Sequence, residues 1–160
     1  VDTPGAFPGI EAEERHIAEA IAVNLREMAT FEVPIIVCVI GEGGSGGALG
    51  VAVADYVIVL ENAYYSVISP EGCAAILWKD RSFASDASAA LKLDADELLG
   101  FGVADEILQE PTCGAHTDWS EVADNVKSRL LKAIERLNDV PNLKEKRYSK
   151  FRNIGSVVED

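Results

Sequence analysis

The chain has 160 residues, 48% of them hydrophobic and 26% charged, a balance that suits one globular unit with a packed core. Its formal net charge is −13, from 14 Lys and Arg against 27 Asp and Glu, and that acidic field argues against nucleic acid or an anionic membrane as the main partner. Cys38, Cys73 and Cys113 are odd in number, widely spaced and without metal-ligand spacing, so reduced thiols are expected, and no apolar run reaches the roughly 18 to 20 residues of a membrane span.

The opening Val1-Asp2-Thr3-Pro4-Gly5 reads as the end of a strand running into a turn, without an initiator Met, so a fragment lacking its earlier strands is expected. Glu11 to Phe31 reads as one helix, with Glu11, Glu13 and Glu14 in the first turns where the dipole favours acids. Ile17, Ala20, Ile21, Leu25 and Met28 recur at helical spacing, which predicts an apolar stripe against a sheet, with Asn24 the polar exception. His16 is read as a surface helix residue.

Val33-Pro34 opens an apolar run to Ile40, the pattern of a parallel strand covered on both faces. A small-residue helix is predicted over Ala48 to Ala54, and strands over Tyr56 to Leu60 and Tyr64 to Ile68. Ser69-Pro70-Glu71 supplies a cap, a Pro at the first helical position and an acid in the first turn, predicting a helix to about Trp78. Ala84 to Lys92 and Asp94 to Gly100 read as two short helices, and Val103 to Leu108 as a strand. Asp118 then starts a long helix with Val122, Val126, Leu130, Ala133, Ile134 and Leu137 on one face, and Leu143 to Arg152 is predicted to be helical after Pro141. Its basic cluster, Lys144, Lys146, Arg147, Lys150 and Arg152, is read as a solvated face in preference to a docking site. Strands alternating with helices predict an α/β layered fold with a largely parallel sheet, and residues 1–160 are read as a single domain.

The stretch Gly41 to Gly50 holds six glycines in ten residues, which cannot fill a core, so something must approach this backbone closely. At a strand-to-helix turn, unpaired N–H groups and the helix dipole point at one spot, the shape of an oxyanion hole. Gly41-x4-Gly46 also mimics a phosphate loop, but Gly47-Ala48 stands where Lys and then Ser or Thr are needed, which excludes nucleotide hydrolysis. Gly43-Gly44-Ser45-Gly46-Gly47 matches a nucleophile elbow, with His116 the only histidine downstream and Asp105 an acid near it in sequence alone. A small residue or a helix cap is the preferred reading of Ser45. Glu42 is a lone carboxylate, read as a loop hydrogen-bonding group before a general acid or base. Trp78, Tyr64 and Tyr65 are read as core or interface anchors.

Several motifs resemble one family along almost the whole chain, in unbroken order. They are Asp2-Thr3-Pro4-Gly5-Ala6-Phe7-Pro8-Gly9, Ala12-Glu13-Glu14-Arg15, Asn24-Leu25-Arg26-Glu27-Met28, Gly41 to Leu49, Ser66 to Ala74, Ile76-Leu77-Trp78-Lys79 and the Arg147-Tyr148 region. The family is the carboxyltransferase α subunit of multi-subunit acetyl-CoA carboxylase, and the chain is similar to roughly its C-terminal half.

The resemblance implies a crotonase-like (ClpP/crotonase) fold and a biotin-dependent transferase that moves a carboxyl group from carboxybiotin to acetyl-CoA, giving malonyl-CoA for fatty-acid synthesis. It implies the amides of Gly46 and Gly47 as the catalytic groups, with Gly43, Gly44 and Ser45 flanking the carboxybiotin, and no side-chain base and no metal in this chain. The implied partners are a β subunit carrying a zinc ribbon and a biotin carboxyl carrier protein, in an α2β2 hetero-oligomer of the bacterial cytoplasm or plastid stroma. The alternatives are a subunit of another biotin-dependent acyl-CoA carboxylase or decarboxylase, or a noncatalytic assembly module. One departure is Cys113-Gly114-Ala115-His116, where the family has a glycine pair, so a turn that calls for positive φ has lost one glycine.

Overall fold

The structure, a computed structural model, describes residues 1–155. In chain order the elements are α1 (Ile10–Glu14), α2 (Ile17–Thr30), β1 (Ile36–Val39), β2 (Glu42–Gly44), α3 (Ser45–Leu49), β3 (Tyr56–Leu60), β4 (Tyr64–Ser66), α4 (Pro70–Leu77), α5 (Ala84–Leu91), α6 (Ala95–Gly100), β5 (Glu106–Leu108), α7 (Trp119–Asn138) and α8 (Leu143–Asn153).

Two small parallel sheets organise these elements. The larger has the order β1-β3-β5, with Val37 opposite Val57, Val39 opposite Val59 and Leu60 opposite Leu108. Its strands lack polar alternation because both faces are covered, and Val39, Ile58, Val59 and Leu60 are almost wholly buried. Ala52, Ala54, Ala63, Ala95, Leu98 and Ala104 complete that core. The second sheet pairs β2 with β4, and Thr3 bridges to Gly43 on its other side. The first three residues link the two sheets: the Val1 carbonyl accepts from the Ile40 N–H at 2.9 Å, and the Thr3 carbonyl accepts from the Gly44 N–H at 2.8 Å.

Locally encoded elements match their signals. Ser69 Oγ accepts from the Gly72 N–H at 3.1 Å, Asp94 Oδ1 from the Glu97 N–H at 3.0 Å and Asp118 Oδ1 from the Glu121 N–H at 2.9 Å, each satisfying an orphan donor of a first helical turn. Tyr64–Ser66 and Glu106–Leu108 are shorter than their predicted strands, and β1 begins only at Ile36.

Two predicted helices differ. The long first helix is broken at His16, which has φ 59° and turns the chain between α1 and α2. No residue of α2 is fully buried, and it packs against α1, α3 and α8 instead of lying on a sheet. The helix expected over Ala48 to Ala54 is instead α3, five residues long, after which Ala52 to Ala54 run buried into β3. A helix that short adds little macrodipole.

The basic cluster is only partly a solvated face. Arg147 is 1% exposed, and all its guanidinium nitrogens are engaged. Nε and Nη2 donate to Asp55 Oδ1 (3.0 Å) and Oδ2 (2.7 Å), while Nη1 donates to the carbonyls of Met28 and Phe31 and Nη2 also to that of Val33. Lys150 pairs with Asp105 in the same layer. Lys144, Lys146 and Arg152 do face solvent. Among the described residues no helix is long and apolar enough to cross a membrane.

Candidate functional site

The glycine stretch is not a bare strand-to-helix turn. Its first part, Glu42–Gly44, is strand β2, held by β4 on one side and Thr3 on the other, and α3 starts directly at Ser45. Asp2 braces the entry: its Oδ1 accepts from the Glu42 N–H at 2.9 Å and would lie 2.6 Å from a Cβ placed on Gly41.

Most of these glycines are required by the chain itself. A Cβ on Gly44 would lie 2.1 Å from the Pro4 carbonyl oxygen, one on Gly47 2.6 Å from the Gly5 carbonyl carbon, and one on Gly43 2.8 Å from the Tyr64 carbonyl oxygen. The close approach that the composition demands is therefore made largely by the segment Pro4-Gly5-Ala6, which lies across the stretch. Gly46 differs. A Cβ there would meet only Ile21 Cδ1, at an ordinary 3.6 Å, and its φ lies outside the left-handed region. Neither packing nor backbone conformation explains this glycine.

Ser45, Gly46 and Gly47 occupy the first turn of α3, so their N–H groups have no acceptor within the helix, and no other described residue accepts from them. The Gly44 N–H, by contrast, is taken by Thr3. Ser45 is exposed, has φ 50° and makes no side-chain cap, so it is not the expected helix cap. It has the strained backbone of a nucleophile elbow, but among the described residues no base is hydrogen-bonded to it. His116 stands beside Gly114, His16 stands 3.6 Å from Glu19, and no described hydrogen bond joins either to Ser45. The local field is acidic: burial, together with the Glu42, Asp2 and Glu71 carboxylates, pushes the Tyr64 hydroxyl pKa up. An oxyanion at this turn would depend on direct N–H donation and not on net local charge.

The main clefts lie elsewhere. One of about 830 Å3 sits at the carboxyl ends of β1, β3 and β5, lined by Ile40, Glu61, Asn62, Glu110, Cys113 and His116 among others. Glu110, which sequence reasoning did not single out, accepts from the Asn62 N–H at 3.0 Å and the Ala115 N–H at 2.6 Å. Partial burial pushes its carboxyl up, but those two donors and nearby His116 outweigh it and hold the pKa below the usual range. A second cleft, of about 630 Å3, lies between β4 and α5, and a third, of about 290 Å3, lies beside Phe7 and Arg15. No group of three or more metal-ligating side chains gathers among the described residues.

Beside the first cleft, Cys113 has φ 76° and Gly114 φ 102°, so the missing glycine is felt as backbone strain. Cys113→Gly should raise stability by about 0.5–1 kcal/mol, the relief of a left-handed non-glycine residue less the added unfolded-chain entropy. Urea unfolding checks this, with a higher midpoint at unchanged slope as the expected result.

The family model described as acetyl co-enzyme A carboxylase carboxyltransferase-like matches residues 1–155. The α subunit of acetyl-coenzyme A carboxylase carboxyl transferase from Syntrophotalea carbinolica is 57% identical over 99% of this chain and 51% of its own length. The corresponding protein of Trichodesmium erythraeum is 52% identical over 99% of this chain and 50% of its own. The chain thus spans about half the length of the curated relatives it matches. Among solved structures, a Pseudomonas malonate decarboxylase hetero-tetramer in complex with malonate superposes with a TM-score of 0.69 at 21% identity, over 92% of this chain and 57% of that one. The transcarboxylase 12S hexamer gives 0.69 at 20% identity, over 86% of this chain and 25% of that one.

Proposed function

The chain belongs to the acetyl co-enzyme A carboxylase carboxyltransferase-like family and has its crotonase-like α/β fold, and on that premise we propose that it forms the carboxyl-donor side of an acetyl-CoA carboxyltransferase. The observation that carries the site is Gly46, a glycine for which the chain's own packing gives no reason, next to two N–H groups, its own and that of Gly47, that no described acceptor meets.

These residues fit the group the family implies. Carboxybiotin, when bound, supplies the carboxyl group to be transferred, and its ureido oxygen is an acceptor of the kind two adjacent N–H groups suit. The Gly46 and Gly47 amides would hold that oxygen, and fixed donors strengthen their bonds as negative charge grows there, which lowers the barrier. The absence of a Cβ at Gly46 leaves the approach open. Pro4-Gly5-Ala6 and β4 fix Gly43, Gly44 and Gly47, so the donors are aimed before anything binds. In this reading Gly43, Gly44 and Ser45 flank the donor, with Gly44 serving through its packing, because its N–H is already used.

The partners of this reading are a β subunit that holds acetyl-CoA and carries a zinc ribbon, and a biotin carboxyl carrier protein, in an α2β2 assembly. Its place is the cytoplasm of a bacterium or the stroma of a plastid, in fatty-acid synthesis. Bacterial relatives support the first setting.

The test is Gly46→Val in the full α subunit assembled with its β partner, beside Gly46→Ala, whose single added methyl makes only an ordinary 3.6 Å contact with Ile21 and so keeps the fold. In Gly46→Val carboxyltransfer should fall about 100-fold or more, because the branched side chain crowds the two N–H groups to an extent comparable with losing an oxyanion donor, and the unfolding midpoint of Gly46→Ala should be little changed. A wild-type rate would overturn the assignment, and methylmalonyl-CoA in place of malonyl-CoA as product would move the substrate to another acyl-CoA.

A further inference from the structure

We infer that α2 is a strap that positions the glycine turn, with Ile21 pressed against α3 near one end and Arg147 of α8 clamping the other. This rests on the reading of the turn as the anion-facing site, and it assigns roles to Ile21, Arg147 and Asp55 that the glycine chemistry does not itself use.

The first contact is between Ile21 and the two ends of α3. A Cβ on Gly46 would lie 3.6 Å from Ile21 Cδ1, and one on Gly50 3.3 Å from Ile21 Cγ1. Ile21 therefore lies against α3 at both Gly46 and Gly50. The Gly50 N–H closes α3 on the Gly46 carbonyl at 2.9 Å, directly beneath that side chain.

The second contact is at the far end. The last carbonyls of a helix lack their full helical partners, and here the Met28 carbonyl, which the Phe31 N–H meets only at 3.4 Å, and the Phe31 carbonyl both accept from Arg147 Nη1 at 2.8 Å. The same guanidinium holds Asp55, which follows the buried run Ala52 to Ala54 leaving α3, and Asp55 Oδ2 also accepts from the Ile35 N–H at 2.8 Å. One side chain thus fixes the end of α2, the entry to β1 and the exit from α3.

Between these contacts little else holds α2. None of its residues is fully buried, and Val23 on its outer face is 37% exposed. Helices with few buried contacts open at low free energy, so the position of α2 follows its two attachments. Seven residues separate Ile21 from Met28, about 10 Å along the axis, a length over which a helix moves as a rigid piece. Loosening Arg147 should therefore be felt at Gly46 to Gly50. Arg147 and Ile21 are positioning residues, since neither supplies the N–H groups assigned to the oxyanion and each acts through α2.

The experiment uses the full α subunit assembled with its β partner, carrying Ile21→Ala, Ile21→Val or Arg147→Lys, the last keeping the charge but not the fork. Hydrogen exchange at the amides of Gly50, Val51 and Ala52 should speed up about tenfold more than at the β3 amides in Ile21→Ala and Arg147→Lys. In the same two variants kcat should fall about tenfold, with KM for acetyl-CoA within about twofold, and Ile21→Val should restore both readouts. Unchanged exchange at those three amides overturns the strap, as does exchange that rises equally in β3, the sign of general destabilisation. If the unmodified complex transfers no carboxyl group, the functional reading fails instead, and the exchange result still decides the strap.

Discussion

Gly44→Ala should destabilise the protein by about 3 kcal/mol or more, beyond an ordinary surface substitution and at the upper end of overpacking. The added methyl would sit 2.1 Å from the Pro4 carbonyl oxygen and 2.4 Å from its carbon, so a backbone segment has to move. That segment cannot move alone. Its neighbour Thr3 is bonded to β2 on both sides, donating to the Glu42 carbonyl at 2.6 Å and accepting from the Gly44 N–H at 2.8 Å. Displacing Pro4 therefore strains the bridge between the two sheets. Gly46→Ala is the control, with its methyl at an ordinary 3.6 Å from Ile21 Cδ1 inside a first helical turn, and it should be neutral or stabilise by up to about 1 kcal/mol. Urea unfolding of both variants checks the contrast. Equal midpoints would mean that the two glycines are not there for different reasons.

That contrast also shows where the sequence is legible. Six glycines in ten residues announce that something comes close, because no other composition tolerates it, but which atoms come close is a tertiary fact. Pro4 and Gly5 lie about forty positions upstream in the chain, and nothing in the local pattern of Gly41 to Gly50 points to them. Ser69, Asp94 and Asp118 were readable because a cap is a bond between residues two or three apart. The break at His16 was not, since the run Glu11 to Phe31 keeps helical periodicity through a residue with φ 59°. Family motifs point to Gly43 to Gly47 as the proposed site region, whereas the difference in packing between Gly46 and Gly44 is a tertiary fact.

The largest loss of stability is expected from Arg147→Ala, about 3–5 kcal/mol, the range for removing one partner of a buried ion pair. The Asp55 side chain is 4% exposed and Arg147 1%, so neither gains water when the other leaves. Burying a pair is often no better than burying two apolar groups, and a Met at 147 with Leu at 55 would ordinarily be expected to recover the loss. Here it should not. Arg147 also satisfies the carbonyls of Met28, Phe31 and Val33, and Asp55 satisfies the Ile35 N–H, so the apolar pair leaves four backbone groups without these partners. Phe31 and Val33 are exposed residues whose carbonyls can regain water, so the weight falls on the Met28 carbonyl and the Ile35 N–H in half-buried residues, and a buried group left unmatched costs about 1–3 kcal/mol. Arg147→Met with Asp55→Leu should therefore remain well below wild type in urea unfolding, and Arg147→Lys, lacking the fork, should fall between. Full recovery by the apolar pair would mean that the salt bridge is the whole of the interaction. The expected deficit instead places the weight on backbone groups, which is how a residue near the end of the described chain reaches the helix beside the glycine turn.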